Sequence, residues 1–175
     1  MSVPDVRPAE EGYAVPVRCG DDVRAVWWGP REGEDGEDVV AARSGRVLTW
    51  PDAATCAREV VDRGWTTTPA FVDDELDFSP VLAWLRGRAL RLDRHAALTT
   101  WNLAGDVASS LALPRHDRGR RSDRCYDLLF AAAVPWLGGL ESWQPRWSSR
   151  DVSLLRARLG DDLALLRREV FAVGR

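Results

Sequence analysis

The sequence predicts an α+β domain, with a small antiparallel sheet from the N-terminal half packed against a helical C-terminal half. Three observations carry this. Short apolar runs separated by turn residues mark strands through much of 13–50, and apolar residues recur at helical spacing in 93–113, 123–133 and 150–173. The two kinds of segment also come in blocks, strands first and helices later, which favours helices packed on one face of a sheet over an alternating α/β order. The chain has 175 residues, the size of one domain, and no internal repeat divides it.

The elements follow in order. Residues 1–12, with Pro4, Pro8 and three acids, read as a mobile lead-in. Residues 13–18 (YAVPVR) and 23–28 (VRAVWW) read as strands around a turn of Cys19, Gly20, Asp21 and Asp22. Pro16 suits an edge strand, because it has no N–H to donate. Residues 29–38 (GPREGEDGED) form an acidic, glycine-rich, solvated loop. Residues 39–43 then pair with 46–50 across Ser44-Gly45, a hairpin signal. Asp52 caps a helix that turns Ala53, Ala57, Val60 and Val61 inward and stops at Gly64. A short strand is expected within 66–72, and 73–77 (DDELD) is a second acidic stretch. Ser79 as cap and Pro80 at the first helical position open a helix with Val81, Leu82, Trp84 and Leu85, ended by Gly87.

The second half is helical. Residues 93–113 carry two adjacent apolar faces, one of Ala96, Thr100, Leu103, Val107 and Leu111, the other of Leu98, Trp101, Gly105, Ala108 and Ala112. Pro114 stops this helix. Residues 115–124 (RHDRGRRSDR) read as a basic loop, and 123–133 as a helix with Leu128, Leu129 and Ala132 inward. A connector rich in Trp, Pro and Gly follows. Ser148 and Asp151 then have the spacing of a capping box, and a last helix over about 150–173 has the stripe Val152, Leu155, Leu159, Leu163, Leu166 and Val170.

Composition narrows the function classes. All 24 basic residues are Arg, against 27 acids, for a net charge of −3. That balance argues against general nucleic-acid binding, which needs a basic face. The three cysteines lack paired spacing and only two histidines are present, so neither a disulfide framework nor a Cys/His metal site is expected. The N-terminus has no signal-peptide pattern and no apolar run is long enough to span a membrane. The expected location is therefore the cytoplasm. No phosphate loop, dinucleotide fingerprint, zinc-protease helix or nucleophile elbow occurs, so no cofactor or catalytic residue is assigned.

Four groups remain as candidates. Asp93, His95, His116, Asp117, Asp123 and Cys125 have the residue types for an activated thiol, but His95 falls in a helix's first turn, His116 in a solvated Arg-rich loop, and Cys125 reads as a small core residue. Asn102, Asp106 and Ser109, with Thr99 one turn earlier, form a polar line that would bind a ligand, pair a buried Asp106 with an Arg, or serve as a solvent face or structural network. Nine Trp are present. Trp27, Trp50, Trp84 and Trp101 fit core patterns, while Trp136, Trp143 and Trp147 in the connector either lock it down or anchor a partner. The fourth group is acidic: Glu32, Glu34 and Asp35 in the first stretch, and Asp73, Asp74, Glu75 and Asp77 in the second. Such stretches are solvated surface or steer a basic partner.

The segments 39–64 (VVAARSGRVLTWPDAATCAREVVDRG), 96–110 (ALTTWNLAGDVASSL) and 124–130 (RCYDLLF), with PRWSSRD before the last helix, resemble small stand-alone actinobacterial proteins. Some of that style are immunity proteins encoded beside polymorphic toxins. The resemblance implies a protein that binds one cognate toxin domain and blocks it, and it assigns no residues. Binding through the acidic stretches with Trp143 and Trp147 is thus the first expectation. An enzyme or small-molecule binder of specialised metabolism, using Asn102, Asp106, Ser109 or His116, is the second. A regulatory partner without a site, dimerising through its helical half, is the third.

Overall fold

A computed structural model describes residues 5–31, 37–71, 74–114, 119–134 and 146–172. Strands β1 (Tyr13–Cys19) and β2 (Asp22–Pro30) form an antiparallel hairpin, paired from Tyr13 with Trp28 to Cys19 with Asp22. Gly20 supplies the positive φ (67°) of its two-residue turn. This hairpin is the middle of the sheet. The outer edge of β2 takes β3 (Asp38–Val40), also antiparallel. Further along the same edge, Ala25 exchanges both backbone hydrogen bonds with Trp50, at 2.8 and 3.0 Å.

The expected hairpin over 39–50 divides, because 39–40 belongs to the main sheet. Only β4 (Ala42–Arg43) and β5 (Arg46–Val47) pair with each other. The turn between them is as predicted: Ser44 and Gly45 both have positive φ, 50° and 74°, matching the strand twist.

The sheet is mixed rather than antiparallel throughout. After helix α1 (Ala53–Asp62), the chain returns as β6 (Ala70–Phe71) and β7 (Leu76–Asp77), both parallel to β1. A strand that follows a helical crossover runs in this direction. β6 pairs with Tyr13 and Ala14, β7 with Val17 and Arg18. Pro16 falls between the two, where β1 needs no outward donor. β1 is therefore not an edge, but its outer ladder is interrupted at the proline.

Because strand side chains alternate, the central hairpin buries both faces. Val15, Val17, Cys19 and Val26 join the main core with α2 (Ser79–Leu85), α3 (Arg94–Ser110), α4 (Arg120–Ala133) and α5 (Ser149–Leu166). Ala14, Ala25 and Trp27 face the other way, onto Trp50 and onto Cys56, Ala57 and Val60 of α1. Helices thus lie on both faces, not one. The inward face of α1 is also shifted: Val61 is exposed and Cys56 takes the inner position.

The helix ends follow local chemistry. Asp52 accepts from the Thr55 N–H at 2.7 Å and Asp93 from Ala96 at 3.0 Å. At α2 the expectation fails: Ser79 lies inside the helix, and its Oγ accepts from the Gly20 N–H at 2.9 Å, tying α2 to the hairpin turn. Asp77 instead accepts from the Ser79 N–H. α3 ends at Ser110, earlier than predicted, and Ala112 turns away at φ 52° before Pro114. α4 starts at Arg120, so Arg120, Arg121 and Arg124 belong to a helix and not to a loop. The Ser148–Asp151 capping box forms in both directions. Leu155, Leu159, Leu163, Leu166 and Val170 are buried as expected, whereas Val152 is exposed. α5 continues into a π-helical turn (Arg167–Phe171) that sends both Val170 and Phe171 into the core.

The described part of the lead-in, residues 5–12, is tied down rather than mobile. Val6 exchanges two backbone hydrogen bonds with Ala42 (2.9 and 2.8 Å), Ala9 donates to Pro30, and Glu10 accepts from Thr67. Gly12 lies against the buried Trp27, where a Cβ would come within 2.6 Å of the ring.

Two outcomes are expected. Leu159→Ala lowers the stability measured by denaturant unfolding by about 2–5 kcal/mol, and Val152→Ala leaves it within about 0.5 kcal/mol. Backbone and side-chain hydrogen bonds hold the Asp52 carboxyl below its ordinary value, and Ser148 with its backbone N–H does the same to Asp151. A depressed folded pKa contributes stability that is complete above the unfolded value, near 3.9, and is lost as pH falls through the folded one. Acid unfolding followed by circular dichroism should therefore lose part of its slope below about pH 4 in Asp52→Asn and Asp151→Asn.

Candidate functional site

α3 organises the site. One of its faces is bound to the sheet edge. The Ser110 Oγ accepts from the Val40 N–H at 2.9 Å and donates to the Asp106 carbonyl at 2.7 Å, and the Trp28 Nε1 donates to the Asp106 carboxylate at 2.9 Å. α4 packs against a neighbouring face, where the Tyr126 hydroxyl donates to the Asn102 Oδ1 at 3.1 Å. Between these two attachments lies a cleft of about 570 Å³.

The β2–β3 side of the cleft supplies Trp28, Glu37 and Asp38. α3 supplies Trp101, Asn102, Asp106 and Ser109, and α4 supplies Ser122, Asp123, Tyr126 and Asp127. Helical geometry explains both helix sets: positions 102, 106 and 109 fall along one line, as do 122 and 126, and 123 and 127. Among the described residues, five carboxylates therefore face one opening, beside three aromatic rings and an amide. Asp106 is half-buried, and the other four acids are exposed. The rings continue outward along α4. Tyr126 lies 5.6 Å from Trp101 and stacks at 6.2 Å on Phe130, whose side is exposed.

The structure brings together residues that sequence reading kept apart. Asn102, Asp106 and Ser109 line the cleft, and so do Glu37 and Asp38, the described end of the first acidic stretch. Glu32, Glu34 and Asp35 lie outside the described residues, as do Asp73, His116, Asp117, Trp136 and Trp143. The second acidic stretch lies elsewhere and serves the fold: Glu75 pairs with Arg18, Asp77 caps the start of α2, and Asp74 is exposed. Trp147 is half-buried and packs on the main core. Trp28, Tyr126 and Asp127 were missed as site residues, and Asp123 had been singled out only for the thiol group; the signal for 123, 126 and 127 was acid and aromatic residues at helical spacing in 122–127.

The described members of the thiol group do not assemble. Asp93 is a helix cap, His95 is exposed on the first turn of α3, and Cys125 is buried, its Sγ 3.8 Å from the Asp151 carbonyl. Burial pushes the Cys125 thiol up to about 11 and Cys56 to about 12, and it raises Cys19 as well. A thiol held protonated at neutral pH is a poor nucleophile. Among the described residues no group of three or more His, Cys, Asp and Glu could hold a metal ion. No described helix is long and apolar enough to cross a membrane.

Outside the cleft, a carboxylate is paired within the chain. On α5, Arg158 forks onto Asp162, Nε to Oδ2 and Nη2 to Oδ1, both at 2.9 Å, and its guanidinium lies 5.1 Å from the Trp101 ring centroid. The pair is nearly buried, where an ion pair with good geometry replaces lost hydration.

Comparison with protein-family models, with curated proteins and with solved structures gives no match to this chain.

The buried thiols yield a direct expectation. In native buffer at pH 8, a chromogenic thiol reagent should modify none of the three cysteines faster than the protein unfolds, and all three together in denaturant. Rapid native labelling of Cys125 would reopen the nucleophile reading.

Proposed function

We propose that this chain is a binding protein of the inhibitor or immunity type, which takes a positively charged surface of a partner protein into the cleft between β3, α3 and α4. The observation that supports this is the charge of the cleft. Among the described residues, five carboxylates from three parts of the chain share one opening, although the net charge is only −3. A cleft lined by one sign of charge focuses its field and raises the encounter rate of an oppositely charged partner. Aromatic rings beside the acids supply the apolar contact that interface anchors use. The exposed Arg120 and Arg121 at the start of α4 would then set the partner's register, by repelling basic surface on that side. The reading needs no chemical step, in keeping with the buried thiols. Three free cysteines suit a reducing compartment, so we assign the protein to the cytoplasm.

One observation favours a second reading. The cleft volume, about 570 Å³, falls within the range of small-molecule sites, so a cationic metabolite is the alternative occupant.

The test is capture from the host with the tagged chain at low salt, followed by calorimetry with the purified partner. The expected result is a 1:1 complex weakened by salt, and by roughly tenfold or more in Asp106→Asn/Asp123→Asn/Asp127→Asn. Equal affinity of wild type and triple variant sinks the reading. Capture of no protein, with saturable binding of an organic amine lost in the triple variant, moves the site to the second reading.

A further inference from the structure

We infer that the loop between α2 and α3, residues 86–92, is a membrane-surface contact: Leu90 enters the apolar boundary of an anionic bilayer, and the arginines around it engage lipid phosphates. This goes beyond the partner-binding reading and uses none of the cleft residues.

The loop is built to hold Leu90 outward. α2 stops where Gly87 takes a positive φ (70°), and its last carbonyls are satisfied by the backbone that follows: Gly87 donates to Trp84 at 3.0 Å and Arg88 to Ala83 at 2.8 Å. Ala89 and Leu92 then pack on the main core. Between these two anchors Leu90 is 100 % exposed, while among the described residues no other large apolar side chain exceeds the 43 % of Tyr13. The core makes no use of this leucine, and the backbone on both sides of it is tied down.

Its surroundings are cationic. The stretch 86–92 (RGRALRL) holds three arginines and no acid, and Arg86, Arg88 and Arg91 are all exposed. Among the described residues none of these three guanidiniums has a hydrogen-bond or ion-pair partner. A fourth, on Arg156, reaches from α5 onto the carbonyls of Trp84 and Leu85, at 3.4 and 3.2 Å. It brings the exposed side of α5 next to the loop, and there Val152, one turn before Arg156, is a second apolar side chain left in water.

Shape favours a bilayer over a protein as the occupant. A protein interface needs a water-excluding apolar core within about 1,000 Å² or more of buried surface, whereas Leu90 protrudes alone among charged groups. A bilayer accepts a single protruding side chain without a matching pocket. Its phosphates take the fork of an arginine, and its negative surface potential attracts basic segments. The net charge of −3 opposes this attraction, so binding depends on the local arginines and weakens with salt.

The experiment sediments the full chain with vesicles of phosphatidylcholine alone, or of phosphatidylcholine and phosphatidylglycerol in equal parts, at low and at physiological salt. Wild type is compared with Leu90→Gln and Arg88→Gln/Arg91→Gln, and with Val61→Gln and Arg46→Gln/Arg58→Gln as controls elsewhere on the surface. The expected result is salt-sensitive binding to the anionic vesicles alone, weakened about tenfold by Leu90→Gln and roughly tenfold by the arginine pair, and unchanged in both controls. Because the native cysteines are buried, a polarity-sensitive dye can be placed on Leu90→Cys, and its emission should shift to the blue on anionic vesicles. Binding that survives Leu90→Gln without a dye shift overturns the inference, as does equal weakening by the control variants. No vesicle binding by wild type also overturns it, and Leu90-dependent capture of a soluble acidic protein then assigns the loop to that partner instead.

Discussion

The two-sided burial of the β1–β2 hairpin is the constraint from which the rest of the architecture follows. A hairpin with one wet face needs helices on one side only. Here Val15, Val17 and Val26 point one way while Ala14, Ala25 and Trp27 point the other, and all six are buried. The chain must therefore supply a cover for each face. α1, with Trp50, is the smaller cover, and its small residues Cys56 and Ala57 leave room for the Trp27 indole. The larger cover is the α2, α3 and α5 layer, with α4 packed outside it. The same economy of space operates at the hairpin's open end. Gly12 sits on the Trp27 ring, and a Cβ at Gly29 would come within 2.8 Å of the Gly12 backbone. Two glycines let the lead-in cross the end of the sheet.

The cleft is a by-product of how that larger layer meets the sheet edge. α3 is pinned to β2 and β3 by the Trp28–Asp106 and Val40–Ser110 bonds. It cannot also close the space toward α4, which it meets through Tyr126 and Asn102. What remains between the two attachments is lined with groups that would be expensive to bury. Four of the five carboxylates are exposed and keep most of their hydration, so the fold tolerates them in one place. Asp162 shows the contrasting solution. It is buried, and there the chain supplies its own Arg158 as a bidentate partner.

Legibility in the sequence tracked the range of the interaction. The capping box at Ser148, the Asp52 cap, the Ser44-Gly45 turn and the α5 stripe depend on residues within about one or two turns of each other, and all were readable. β6 falls within the short strand expected at 66–72, but β7 is too short to carry a period, and the parallel pairing of both depends on α1 standing between them and β1. Ser79 resembled a cap because its sequence neighbours fit one. Its bond goes to Gly20, 59 positions away. The site divides the same way. The line Asn102, Asp106, Ser109 could be read from one helix. That Trp28 and Glu37 would face it could not, because only the tertiary fold brings a strand end to that helix. Asp127 was hidden by the arginines before it, and Asp123 was read only as a partner of Cys125.

The order of strands in space also bears on how this chain is made. β1 and β2 are adjacent in sequence and can pair as soon as they leave the ribosome, but the partners of the other β1 edge are residues 70–77. For the time it takes to synthesise some fifty further residues, that edge is an unpaired ladder of the kind that recruits a neighbouring nascent chain. Pro16 stands in the middle of it. By removing one donor it breaks the ladder into two short pieces, each matched later by a strand of only two residues. The proline that looked like the mark of a permanent edge instead guards a temporary one, during translation.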